Sequence, residues 1–257
     1  MTDLSRYADW TAWLTAQAEA DADVHCVWVG GSAATGGYDD WSDLDVDVLC
    51  APGTSAAVYD RWLTRARRDF DVRDVWEMTL ADWPDGPHCF LNLQDRPGLL
   101  QEPARVVDLH LTEKSGHTRI DVRRHGTPIV LHDPDTLVVL EEEDVSGSMA
   151  VAVDQVRQRR VTGEWLVNRA IARGQVAEAL QWYLTFALDG LVRLLRVEHC
   201  PWRHDFGLRY VHEDLPAEVA ERVEGLVPGV SPLGLAELSL RCFTWLDELL
   251  DEADPVG

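Results

Sequence analysis

Apolar and polar positions change rhythm several times along this chain, and each change marks an element. Residues 3–22 carry Tyr7, Trp10, Trp13, Leu14 and Ala18 at helical spacing, the pattern of an amphipathic helix. His25 to Val29 is a short apolar run that enters Gly30-Gly31-Ser32, and in the stretch 44–50 apolar and acidic residues alternate as far as Val48. Alternation of that kind predicts a strand with one buried face. A helix is predicted over 55–69, closed by Arg67-Arg68, followed by strand-like stretches at 71–78, 88–93, 105–111 and 118–124. Ile129-Val-Leu131 leads into the turn sequence His132-Asp-Pro-Asp135. From residue 138 onward the pattern predicts helices alone. The acidic stretch Glu141-Glu-Glu-Asp144 and Ser146-Gly-Ser148 mark the junction. Helical periods then run over 151–172 and 175–197, Cys200-Pro-Trp202 interrupts, and weaker helices follow at 216–226 and 233–252. The expected fold class is α+β: residues 1–137 form a domain with a mixed β-sheet and flanking helices, and residues 138–257 an all-helical domain.

Composition narrows the function. Of 257 residues, 46% are hydrophobic, enough for one large core or two smaller ones. The formal net charge is −22, a field that repels nucleic-acid backbones and anionic membranes and attracts cations. Nucleic acid is therefore not the expected partner. No apolar run reaches the roughly 18–20 residues of a membrane span, and the first residues lack the basic-then-apolar pattern of a signal peptide. The five cysteines are scattered and form no Cys-x-x-Cys pair, so neither a disulfide framework nor a zinc site is expected. A cytoplasmic protein is the corresponding expectation.

The chemistry is concentrated between Gly30 and Val48. A strand delivers the chain to two glycines and Ser32; glycine permits close backbone approach to a ligand, and a helix starting at Ser32 would offer free amides to phosphate. On the next strand Leu44, Val46 and Val48 face one way and Asp43, Asp45 and Asp47 the other. Carboxylates two apart on one face can share a hard cation such as Mg²⁺, which usually takes one or two carboxylates together with phosphate oxygens. A phosphate cradle beside such a pair suits metal-assisted nucleotidyl transfer. The short connection favours Asp43 and Asp45 over Asp47, because it brings the start of that strand beside the glycine turn.

Gly31-Ser32, Gly36-Gly37 and Ser42-Asp43-Leu44-Asp45 together resemble the signature of the DNA polymerase β-like nucleotidyltransferase superfamily. The resemblance covers residues 30–108. It implies that Gly31, Ser32 and Ser42 contact the nucleotide, that Asp43 and Asp45 hold metal, and that a third carboxylate sits on a later strand. Asp108, an acid within the apolar run Arg105-Val-Val-Asp-Leu-His-Leu111, matches that third position. A buried carboxylate is costly unless it is paired or hydrogen-bonded. Trp76-Glu77-Met78-Thr79 resembles a strand on which some relatives carry a catalytic glutamate, so Glu77 competes with Asp108 as the base. More broadly, Ile129 to Asp135, the helices around Trp165 to Arg196 and Gly207-Leu-Arg-Tyr210 follow the layout of bacterial aminoglycoside adenylyltransferases of the streptomycin-modifying kind, in which a helical domain helps bind the antibiotic. That likeness implies two Mg²⁺ ions, ATP as co-substrate, a small polycationic acceptor and a phosphate contact from Arg209, where relatives often have lysine. Lincosamides, a protein acceptor, or nucleotide binding without turnover are the alternatives.

Other polar positions have simpler readings. Gln181, Thr185, Asp189 and Arg193 form one stripe on an apolar helix; Asp189 and Arg193 make an ordinary i,i+4 pair, or the stripe receives a cationic substrate. Glu164 and Glu178 stand similarly. Arg203 and His204 read as a surface loop more readily than as triphosphate contacts. His110 and His125 read as structural. Trp41 and Trp83 have the chemistry to stack on a base or sugar.

Overall fold

The computed structural model describes residues 2–79, 84–93 and 104–229. It is a mixed α+β chain that divides into two compact units between Glu143 and Asp144. The elements of the first unit are α1 (Ala8–Ala20), β1 (Val24–Val29), α2 (Gly31–Thr35), β2 (Leu44–Cys50), α3 (Ser55–Asp69), β3 (Asp74–Glu77), β4 (His88–Asn92), β5 (Val106–Glu113), β6 (Thr118–Asp121), α4 (Val122–His125), β7 (Ile129–His132) and β8 (Val138–Glu141). A 3₁₀ turn at Ser5–Tyr7 leads into α1.

Six strands form one mixed sheet in the order β3-β4-β5-β2-β1-β7, parallel between β2 and β5 and antiparallel elsewhere. The alternation of β2 decides which face is buried. Leu44, Val46 and Val48 join Val27, Val29, Val107, Leu109, Leu111, Cys89 and Leu91 under α1 and α3. Those helices contribute Trp10, Leu14, Val58 and Trp62, all fully buried. Trp10 also stacks on Phe70 with ring centroids 4.2 Å apart. The N-terminus of α3 is satisfied from a distance: Glu113 at the end of β5 accepts the Ser55 and Gly53 amides at 2.8 and 2.7 Å. Bonds to these amides and to the Ser55 hydroxyl hold the Glu113 carboxyl below its ordinary range. Arg67 and Arg68 occupy the last turn, where cations complement the helix dipole.

The opposite face has an apolar cluster towards one end, where Cys26, Trp28, Leu49 and Ile120 pack with Leu137 and Val138. The β6–β8 pair covers that end. Three sequence expectations change here. The strand predicted to reach residue 124 stops at Asp121, whose carboxylate accepts the Arg123 amide and starts a helical turn. The helices-only expectation from 138 fails at β8, because Val138 and Val139 pair in parallel with Thr118 and Arg119, and Asp133 accepts the Leu137 and Val138 amides. Strand 71–78 is also shorter than expected, at Asp74–Glu77.

The described part of the second unit is helical: α5 (Ser146–Ala172), α6 (Val176–Trp182), a π-helical stretch (Tyr183–Leu188), α7 (Asp189–His199), α8 (Val211–Asp214) and α9 (Ala217–Glu224). The helix expected over 233–252 lies outside the described residues. Leu188, Val192, Val211, Leu215, Ala220 and Val223 make a core in the described part of the second unit. Gly163 of α5 lies against Phe186, where a Cβ would stand 2.6 Å from the Phe186 Cβ. Arg203 and His204 are buried rather than on a surface loop. Asp214 accepts from Arg203 at 2.8 Å and from the fully buried Arg196 at 2.5 Å. Arg196 also donates to the carbonyls of Gly207 and Arg209. Among the described residues no helix is long and apolar enough to cross a membrane.

Candidate metal centre

The open face of the sheet carries two rows of side chains in cross-strand register. One row is Asp45, Asp108, Phe90 and Trp76, on β2, β5, β4 and β3. The next is Trp28, Asp47, His110 and His88, on β1, β2, β5 and β4. Directly opposed residues on adjacent strands lie on the same face, so each row is a line of neighbours. Asp43, just before β2, joins the first row from above.

Asp43, Asp45 and Asp108 each offer a carboxylate oxygen within 4.8 Å of the others, and all three are half-buried. Three carboxylates held this close repel one another unless a cation or proton intervenes. Burial, then the charges of Asp43, Asp108 and Asp47, push the Asp45 carboxyl up to about 7. Burial raises Asp43 as well. Asp108 is raised by burial, against the opposing pull of His88. Oxygen ligands gathered in this number and charge suit a hard divalent cation.

The glycine turn packs directly on this cluster. Gly30 donates its amide to the Asp45 carbonyl at 2.9 Å. Gly31 has φ +54°, and a Cβ there would fall 1.8 Å from Asp45 Oδ2. Glycine is thus required twice at one position, for its backbone angle and for the space the carboxylate fills. The adjoining Ser32 hydroxyl oxygen is buried without a hydrogen-bond partner. A buried hydroxyl left unpaired costs about 1–3 kcal/mol, which a ligand oxygen would relieve. The helix that follows, α2, is only five residues long.

No protein-family model matches the chain, and no curated protein matches it.

The remaining sequence-selected residues fall elsewhere. Ser42 both donates its hydroxyl to Asp39 and accepts the Asp39 amide, each at 3.0 Å, closing the turn into β2. Asp47 is not part of the trio and meets His110 Nδ1 at 3.1 Å. Glu77 pairs in register with Cys89, which opposes Leu109, and this phase places it on the helix-covered face. There it accepts the Tyr59 hydroxyl at 3.0 Å beside a cavity of about 500 Å³. Asp108 and Glu77 therefore stand on opposite faces. Arg209 belongs to the second unit, with its guanidinium 4.9 Å above the Phe206 ring. Asp189 and Arg193 form the i,i+4 pair at 3.6 Å. Glu164 pairs with Arg160 and Glu178 with Arg169. Trp41 is exposed, and Trp83 lies outside the described residues.

Sequence reasoning missed His88 and the aromatic row. His88 is 8% exposed and meets Asp108 Oδ1 through Nε2 at 2.5 Å. Trp76 is 61% exposed and stacks on Phe90 with centroids 5.0 Å apart. At about 4.8 Å per strand, Trp76 lies two strands from Asp108. His110 had a signal, because it follows Asp108 by two residues as Asp47 follows Asp45. His88 had none, since only the β4–β5 register brings it near.

Proposed function

We propose that this chain is a Mg²⁺-dependent nucleotidyltransferase of the DNA polymerase β-like kind, moving AMP from ATP to a hydroxyl of a small molecule. The observation that carries the reading is the convergence of Asp43, Asp45 and Asp108 against the Gly31-Ser32 turn. The residues fit a metal–triphosphate group on one further count, the orphaned Ser32 hydroxyl. Asp43 and Asp45 hold the metal ions, with Asp108 as the third carboxylate. When bound, Mg²⁺ neutralises the triphosphate and stabilises the departing pyrophosphate. Gly31 and Ser32 orient the phosphates.

Asp108 accepts the proton of the acceptor hydroxyl as that oxygen bonds to the α-phosphorus and the bond to pyrophosphate breaks. It is preferred to Glu77 because it shares the face of Asp43 and Asp45. The charge of −22 suits a polycationic acceptor of the aminoglycoside type.

Pyrophosphate release from ATP and Mg²⁺, measured against aminoglycosides, lincosamides and an acceptor-free blank, tests the reading. Acceptor-dependent release is expected, and Asp43→Asn is expected to lower it on the order of 10³-fold, the loss of several kcal/mol of charge stabilisation. Full activity in Asp43→Asn overturns the assignment. ATP binding without release for any small molecule moves the acceptor to a protein or leaves a nucleotide-binding module.

A further inference from the structure

Two histidines border the carboxylate cluster, and they treat their partners differently. His110 meets Asp47, which is not one of the three clustered acids. His88 meets Asp108, a member of the cluster. The fold makes this second contact specific. His88 lies opposite His110 in the β4–β5 register, so Asp108 is its diagonal neighbour on the same face. Diagonal positions across an antiparallel pair are about 7–8 Å apart, within reach of an imidazole.

The ring is held on several sides. His88 is 8% exposed, its centroid lies 5.2 Å from Phe90 and 5.4 Å from His110, and Nε2 reaches Asp108 Oδ1 at 2.5 Å. The Asp108 side chain itself keeps 21% exposure, so it is clamped on one side and open on the other. A carboxylate accepts only, so with Asp108 ionised the proton of this bond sits on His88 Nε2. One carboxylate oxygen is thereby engaged and the rotation of the group fixed.

Resting on the metal-site reading above, we infer that His88 is a positioning residue: it fixes Asp108 Oδ1 so that Oδ2 is presented to the divalent cation shared with Asp43 and Asp45. Partners of this kind orient ligands, and their removal typically costs roughly 10–100-fold in metal affinity.

The test is Mn²⁺ affinity, read by electron paramagnetic resonance of the free ion in titrations of the full chain with Mn²⁺ alone. Wild type, Asp43→Asn, His88→Phe and His88→Gln are compared, with circular dichroism to establish that each is folded. His88→Phe keeps a ring in the same space but removes the donor, and is expected to weaken Mn²⁺ binding roughly 10–100-fold. His88→Gln places an amide N–H close to where Nε2 stood, and is expected to recover most of the affinity. Wild-type affinity in His88→Phe, with binding lost in Asp43→Asn, overturns the positioning role while leaving the metal site intact. Equal weakening in the Phe and Gln variants also overturns it, since packing rather than the hydrogen bond would then be at work. Absence of Mn²⁺ binding by wild type overturns the metal-site reading and this inference together.

Discussion

Asp45 is the residue on which the most forces meet. It opposes Asp108 across the parallel β2–β5 pair, stands two residues from Asp43 and Asp47, and fills the space a Gly31 side chain would need. Its carboxyl is pushed up to about 7, mainly by burial, against an ordinary value of 3.8. The folded state therefore holds a proton on Asp45 through a range in which the unfolded chain has released it. Stability falls wherever the folded state binds more protons and pH rises. The resulting penalty on the metal-free protein builds between about pH 4 and 7 and is complete above 7, and each tenfold difference in proton affinity amounts to about 1.4 kcal/mol. The expected outcome is a melting temperature that, for the metal-free chain, falls from pH 5 to pH 8 more steeply in wild type than in Asp45→Asn. Thermal denaturation of both proteins at the two pH values checks it. A divalent cation is expected to raise the wild-type melting temperature more at pH 8 than at pH 5, since protonation competes with binding.

At the scale of elements, the site depends on which strands are neighbours. β2 and β5 are separated by α3, β3 and β4 in the chain, yet their pairing puts Asp45 beside Asp108. The parallel pair is buried on one face by α1 and α3, and this is where the sequence pattern was most legible: apolar at Leu44, Val46 and Val48, acidic between. The phase of β3 was not legible, because Trp76 and Glu77 are both polar enough at one end to face either way; the β3–β4 register alone sends Trp76 to the open face and Glu77 to the covered one. In the second unit the element-scale feature is the buried cluster of Arg196, Arg203 and Asp214. Arg196 ties α7 to α8 and to the backbone of the Gly207–Arg209 turn, where Gly207 and Tyr210 have φ of +59° and +56°. Removing one partner of a buried pair leaves a charge uncompensated and typically costs about 3–5 kcal/mol. Arg196→Met is expected to destabilise towards the lower end of that range, because Arg203 still pairs with Asp214. Urea denaturation followed by circular dichroism checks it.

Over the whole molecule the dominant quantity is charge. At −22 the chain carries a strong self-repulsion that opposes the compact state. Ion pairs relieve it locally, as where Arg61 bridges the largely buried Asp21 and the exposed Asp23 at 2.8 and 2.9 Å, while fully exposed pairs contribute little. Salt screens like charges that no cation neutralises, with a Debye length of about 10 Å at 0.1 M. Raising NaCl from about 20 to about 200 mM is therefore expected to raise the melting temperature, the reverse of what a chain held together by exposed ion pairs would do. Differential scanning calorimetry across that range tests it.

The sequence by itself determined which segments are strands and helices in the first sixty-odd residues, which face of β2 is buried, and that glycines and aspartates cluster between Gly30 and Asp45. Those are local matters: a period of two, a run of apolar side chains and a turn between them are written in neighbouring residues. The tertiary structure alone decided that Asp43, Asp45 and Asp108 converge while Asp47 turns to His110, that Glu77 lies behind the sheet, and that His88 holds Asp108. It also turned Val138 and Val139 into a strand, because their partner is β6 and not the helices that follow. Each of these depends on strand register, which is set by packing between segments far apart in the chain and leaves no mark on the residues nearby.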